Sequence, residues 1–206
     1  MKKVIKIIGV ALATAMLIGV FGFAGCEQSN PREDVIYYVN ELNEAKELKF
    51  IVEPNVEHID NVHTAVQKYD SSWQLVYMYN KMVHRETGEV NTERLYKNGK
   101  DFDLLNKTYY EVVLTQNSSL AAMIPDIGLL GLESTTFEKI SNDEYLVTIY
   151  PQSLLGDMFG DTVFEYTIKI KDNFVSEIRF AGNTASISRN IGEQIIIDES
   201  EFEKRV

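Results

Sequence analysis

The chain has 206 residues, 20 basic and 31 acidic, for a formal net charge of −11, and it carries one cysteine, three histidines and one tryptophan. Such an acidic balance repels phosphate backbones and anionic headgroups, which argues against a nucleic-acid partner. A single cysteine excludes an internal disulfide, and the length suits one domain with a sizeable core.

Residues 1–25 have the three parts of a secretory signal peptide. Lys2, Lys3 and Lys6 form a positive front, Ile7 to Phe23 is an uncharged apolar run, and Ala24 and Gly25 precede Cys26. A run of about seventeen residues borders on a membrane-spanning helix. Basic residues only at the front and small residues at the end favour cleavage instead. Phe23-Ala24-Gly25-Cys26 resembles the bacterial lipobox, with Phe23 standing where leucine is preferred. The resemblance implies that Cys26 becomes the mature N-terminus, carries a diacylglycerol thioether and makes the membrane a partner through that anchor, outside the cytoplasm. Two acyl chains hold a protein on a bilayer stably where one does not. Residues 26–30 would then be a lipidated tether, at most about 15–20 Å long, and residues 31–206 the folded domain. The leader holds three lysines and no acid, so its removal leaves 17 of the 20 basic residues against 31 acidic ones.

Asn30-Pro31-Arg32-Glu33 is a helix start, with a capping side chain, a proline suited to the first position and a carboxylate for the free N–H groups. Val35, Tyr38, Val39, Leu42 and Ala45 recur at helical spacing, which predicts a helix over 31–46. The period then changes to two. Leu48–Glu53 reads as a strand, followed by Pro54 and a polar stretch without a clear pattern. Around Trp73, Leu75, Tyr77 and Tyr79 a second strand has apolar groups on both faces. Thr87-Gly88 marks a turn, and Asn98-Gly99 a hairpin turn of the type that needs positive φ at both positions. It joins Glu93–Lys97 to Lys100–Leu105, and Thr108–Leu114 follows as a strand.

Residues 118–133 are rich in Leu, Ile, Met and Ala and predict one or two short helices, capped at Asn117 or Ser118 and broken at Pro125 and Gly128. Strands resume at Phe137–Ile140 and Tyr145–Tyr150, and a helical turn is expected near Ser153–Phe159. In "VFEYTIKIKDNFVSEIRFAG", Phe164, Tyr166, Ile168 and Ile170 face one way and Glu165, Thr167, Lys169 and Lys171 the other. Asp172-Asn173 makes the turn, and Phe174, Ser176, Ile178 and Phe180 continue the apolar side. This alternation indicates an antiparallel sheet with one wet face. Ser186–Arg189 and Gln194–Ile197 are read as the last strands.

The fold class expected is α+β: one strongly curved antiparallel sheet, a half-barrel, with helices packed on its concave face. The opening helix 31–46, the stretch "RLYKNGKDFDLLNKTYYEV" at 94–112, the apolar insert 118–133 and the hairpin 163–180 together resemble the LolA/LppX-type half-barrel of bacterial lipid and lipoprotein carriers. The resemblance is one of pattern and covers most of the chain after residue 26.

Catalytic signatures are missing from the sequence: it has no Gly-x-Ser-x-Gly elbow, His-Glu-x-x-His, phosphate-binding glycine loop or EF-hand spacing. His58 and His63 flank Asp60, and His84 is remote; these read as surface histidines rather than metal ligands. The pairs Asp101/Asp103 and Glu199/Glu201 read as solvated carboxylates, and the acceptor triplets at Asn106 and Asn117 carry little weight behind a bacterial signal. The expectation is a protein that is not an enzyme and uses no cofactor or metal. What stands out is apolar and aromatic side chain. Tyr77, Tyr79, Phe164, Tyr166, Ile168 and Phe180, with Met123, Ile124 and Leu129 from the insert, are candidates to line a cavity for a lipid or acyl chain between sheet and helices. The same residue types build a dry core equally well. In that case the domain would instead dock on a protein partner in the cell envelope.

Overall fold

The computed structural model describes residues 30–55, 60–114, 124–150 and 163–205. Cys26, Met123, His58, the leader, the caps at Asn117 or Ser118 and the expected helical turn at 153–159 lie outside these residues. Helix α1 spans Pro31–Asn43 and starts where the sequence places it. Asn30 Oδ1 accepts from the Arg32 N–H at 3.1 Å, and the Asn30 amide donates to Glu33 Oε1 at 3.0 Å, so cap and first turn hold each other.

Twelve strands follow among the described residues: β1 (Glu47–Pro54), β2 (Asn61–Tyr69), β3 (Leu75–His84), β4 (Val90–Lys97), β5 (Lys100–Asp103), β6 (Thr108–Glu111), β7 (Thr136–Lys139), β8 (Glu144–Ile149), β9 (Phe164–Lys171), β10 (Phe174–Phe180), β11 (Asn183–Ser188) and β12 (Glu203–Lys204). A one-turn helix, α2 (Ile127–Leu130), stands between β6 and β7. The strands form one sheet in the order β12-β6-β5-β4-β3-β2-β1-β11-β10-β9-β8-β7, and it does not close into a barrel. Every pairing is antiparallel except β12 with β6.

Among the described residues, three hairpins turn on two residues that both have positive φ: Asn98-Gly99, Asp172-Asn173 and Ala181-Gly182. The backbone twist of such turns matches that of the strands they join, which is why short polar residues and glycine occupy most of these positions. On β10 the ladder slips between Val175 and Glu177. The bulge turns Val175 to the apolar side opposite Ile170 and takes Ser176 out of the expected alternation. Its hydroxyl donates to the Lys169 carbonyl at 3.2 Å.

The sheet is apolar on both sides. Residues directly paired across strands share a face, so the chain Leu48↔Gln67 and Phe50↔Ala65, with Phe50↔Ile187, Ala185↔Ile178, Ile178↔Ile168 and Ile168↔Tyr145, defines one side. There α1 buries Val35, Val39 and Leu42, joined by Leu130 of α2. The helix lies across the strands. Near its start the Tyr145 hydroxyl donates to Asp34 Oδ2 at 2.9 Å, and near its end Arg189 reaches Glu41 at 3.4 Å. Arg32 donates to the carbonyls of Gly131 and Leu132, at 2.6 and 3.2 Å, beyond the end of α2. A guanidinium is well matched to the free carbonyls that end a helix.

The opposite side is covered by the C-terminal segment. From Arg189 the chain leaves β11, and its Ile191, Ile195, Ile197 and Phe202 pack on Val66, Tyr77, Tyr79, Leu95 and Phe102 before β12 joins the far edge at β6. Gln194–Ile197 is therefore not a strand. These residues have no ladder partner, and Ile196 points away from the protein at 90 % exposure. Lys100–Glu199 (2.7 Å), Lys107–Glu201 (3.0 Å) and Lys204–Glu111 (2.7 Å) fasten this strap at the edge. The carboxylates Glu199 and Glu201, read as merely solvated, thus have structural partners.

Gly128 also departs from expectation. It lies inside α2 rather than breaking the insert, and Pro125 and Asp126 directly precede that helix. Asp126 caps α2 by accepting from Leu129 N–H at 3.2 Å, and a Cβ on Gly128 would come within 2.9 Å of that carboxylate.

Candidate functional site

Six of the candidate side chains gather on the helix side of the sheet. Tyr166 and Ile168 lie on β9, Phe180 on β10, Phe164 at the start of β9, and Ile124 and Leu129 in or beside the insert, all in the cluster closed by α1. Ile168 is fully buried between Ile178 and Tyr145. Tyr166 and Phe180, paired directly across the ladder, stack at 4.2 Å with planes 6° apart, and Phe164 meets Phe180 edge-on at 6.0 Å. Burial pushes the Tyr166 phenol above its ordinary range, and the negative charge of Asp126 adds to it. That links the ring to the cap of α2. The Tyr145 phenol is raised as well, by burial and then by the Asp34 carboxylate it bonds.

Leu130, the insert's fully buried residue among those described, is not one of the candidates; its partly buried neighbour Leu129 is. A one-turn helix has too few residues to define a face by periodicity. Thr135, itself buried, donates its hydroxyl to the Leu129 carbonyl at 2.7 Å and closes the turn after α2.

Tyr77 and Tyr79 do not join this group. They are on β3 and, through Val66 and Lys49, share the face beneath the strap. There the Tyr77 hydroxyl accepts from the Ile195 N–H at 3.2 Å, and Tyr79 donates to Glu93 Oε1 at 2.6 Å. The Tyr79 phenol is held above its ordinary range by burial first and by that carboxylate second. A cleft of about 160 Å³ remains between strap and sheet, lined by Lys49, Thr64, Val66, Tyr77, Tyr79, Ile191, Glu193, Gln194 and Ile195. Alternation places Tyr77 and Tyr79 on one face with each other, but nothing local in the sequence says which side the helices cover.

On the helix side of β2–β5, buried Met78 and Tyr96 stand beside polar groups. His63, Asn80, Arg94 and Asp101 lie on this side, where the register pairs Ala65 with Asn80, Asn80 with Arg94 and Tyr96 with Asp101. Arg94 holds Asp101 through two hydrogen bonds, at 3.2 and 2.5 Å, which raises the guanidinium further. His63 is lowered below its ordinary value by burial, against the hydrogen bond with Asn80. Asp103 accepts from Leu105 and Asn106 in the β5–β6 turn. His84 comes within 3.8 Å of Asp60. Among the described residues no group of three or more His, Cys, Asp or Glu could hold a metal, and no helix is long and apolar enough to cross a membrane.

The architecture is an open antiparallel sheet with helices on one side and a C-terminal strap on the other. Among solved structures, the chain is similar to LprF from Mycobacterium bovis, with 13% sequence identity, a TM-score of 0.46, and coverage of 82% of this chain and 95% of that one. It is likewise similar to the lipoprotein LppX from Mycobacterium tuberculosis, with 13% identity, a TM-score of 0.45, and coverage of 81% and 97%. No protein-family model and no curated protein sequence matches the chain.

Proposed function

We propose that this chain is a bacterial lipoprotein, anchored outside the cytoplasm through Cys26, that shelters an acyl chain or similar apolar ligand between its sheet and helices without catalysing a reaction. In this reading residues 1–25 are removed, 26–30 tether the domain close to the bilayer, and the sheet of residues 31–206 curls as a half-barrel with α1 and the insert on its concave side. The observation that carries it is the grouping of Phe164, Tyr166, Ile168 and Phe180 beside Ile124 and Leu129, an aromatic and aliphatic surface next to a helix of a single turn. Sheltering about sixteen methylenes gains roughly 13 kcal/mol gross at about 0.8 kcal/mol each, before ordering costs are subtracted.

A second reading has its own support. Val35, Val39, Leu42, Leu130 and Ile168 are fully buried, so this stretch of the helix side is filled by protein. A filled interior favours a lipoprotein that docks on another envelope protein through its acidic surface. One preparation separates the two. The chain is purified, extracted with organic solvent and examined by mass spectrometry, and its melting is followed with added fatty acids and phospholipids. A bound lipid with a thermal shift is expected; an empty extract and no shift refute ligand binding and leave the protein partner, to be sought by cross-linking in cells. Labelling with a fatty-acid analogue, lost in Cys26→Ser, tests the anchor.

A further inference from the structure

The cleft beneath the strap has the features of a second, independent ligand site. Its floor is the sheet, with Val66 and the rings of Tyr77 and Tyr79; its roof is the strap, with Ile191 and Ile195. Both rings are fixed by their hydroxyls, Tyr77 to the strap backbone and Tyr79 to Glu93, so the cleft is formed before anything enters it. Glu93 is balanced by Lys81 at 3.4 Å. Two charges that line the cleft are not balanced. Lys49 on β1 and Glu193 on the strap have no ion-pair partner among the described residues, and they are of opposite sign.

From these features we infer that the cleft binds a small zwitterion with one ring-sized apolar body: an α-amino acid with an aromatic or branched side chain. The volume, about 160 Å³, matches the body, since an apolar cavity of about 150 Å³ accepts benzene. The tyrosine rings and Val66 offer it flat and aliphatic surface. The carboxylate faces the Lys49 ammonium and the Thr64 hydroxyl, and the ammonium group faces Glu193. A purely apolar ligand would leave both charges unused. A simple anion would meet Glu193, and a simple cation Lys49.

The test uses the full chain in detergent, with L-phenylalanine as probe in calorimetric titration. Phenylacetate, which lacks the ammonium group, and phenethylamine, which lacks the carboxylate, serve as controls. Saturable binding of L-phenylalanine is expected, weakened roughly two- to fivefold on losing either charge from the ligand, as partly exposed ion pairs are worth 0.2–1 kcal/mol. Lys49→Met and Glu193→Gln should each reproduce the weakening and erase the preference over the matching control. No saturable binding overturns the proposal, as does equal binding of all three ligands. The comparison of ligands on the unaltered chain decides the matter even where a variant fails to fold. Lipid found on the helix side neither supports nor harms this proposal, because the two sites are on opposite faces of the sheet.

Discussion

Ile168→Ala measures how firmly the helix side is closed. Ile168 is fully buried, paired with Ile178 on one neighbouring strand and Tyr145 on the other, in the cluster that α1 covers. Truncation removes three carbons, or about 2.4 kcal/mol at about 0.8 kcal/mol each. If the site collapses only partly, a residual cavity on the order of 60 Å³ adds about 1.5 kcal/mol at about 24 cal/mol per Å³. The expected loss is about 4 kcal/mol, a large share of the roughly 5–15 kcal/mol that holds a domain together. Urea unfolding at neutral pH reads it as a lower midpoint with an unchanged slope. Ile168→Val, which removes one carbon, should lose about 1 kcal/mol. A loss below about 1 kcal/mol for the alanine variant would refute the packing reasoning and mean that this surface is not filled by protein. Phe180→Ala probes the other part of the group. Its ring is partly buried and stacks on Tyr166, so roughly 1–3 kcal/mol is expected, together with loss of any bound acyl chain.

His63 supplies a pH dependence. Burial lowers its folded pKa, so the unfolded chain takes up a proton near pH 6.5 before the folded one does, and stability falls as the pH drops below that value; melting temperatures of His63→Gln from pH 7.5 to 4.5 should be flatter than those of the parent. Tyr145→Phe keeps the ring and removes the bond to Asp34, which should cost about 1–2 kcal/mol in urea unfolding. Gly99→Ala meets no atom within 4 Å but must adopt a φ of +73°, so a loss of about 1–2 kcal/mol is expected from backbone strain alone; no loss would mean that the β4–β5 turn relaxes to another form.

How much of this fold is legible in the sequence follows from how each strand is covered. The β9–β10 hairpin reads clearly because Glu165, Thr167 and Lys169 leave one side wet while Tyr166, Ile168 and Ile170 are buried. β2 was missed, and its residues explain why. His63, Ala65 and Gln67 go to the helix side and Thr64, Val66 and Lys68 to the strap side, so neither side carries an unbroken apolar set and no period of two emerges. Trp73 continues the alternation of β3 in the sequence, yet the strand starts at Leu75 and Trp73 stands before it with a φ of +60°. The bulge at Ser176 is invisible for a similar reason, since "FVSEIRF" alternates equally well with or without it. Among the candidate residues, those of β9 and β10 can be put on one shared face because a single alternating run names its own face. Assigning Tyr77 and Tyr79 to the helix or the strap side requires knowing the register across four strands.

The two covers of the sheet are fastened by different forces. On the helix side, α1 is held by three fully buried aliphatic side chains, by the Tyr145–Asp34 bond and by Arg32 on the carbonyls after α2. Each buried side chain contributes roughly 1.5–3 kcal/mol. On the other side one deep ring, Phe202, packs edge-on against Phe102 at 5.1 Å, and beside it are partly buried isoleucines, the hydrogen bond from Ile195, three exposed ion pairs and the short β12–β6 ladder at the edge, with Glu203 N–H on the Lys107 carbonyl and Arg205 N–H on that of Tyr109. Exposed pairs contribute little and are screened by salt. The strap is therefore the weaker cover, and the apolar surface under it, Val66, Tyr77, Tyr79 and Leu95, is the face that opens first. A small ligand bridging Lys49 on the sheet and Glu193 on the strap would add its binding energy where the strap is weakest. A lipid on the helix side would have to displace packed side chains, or occupy ground beyond Phe164 and Phe180 that α1 does not cover.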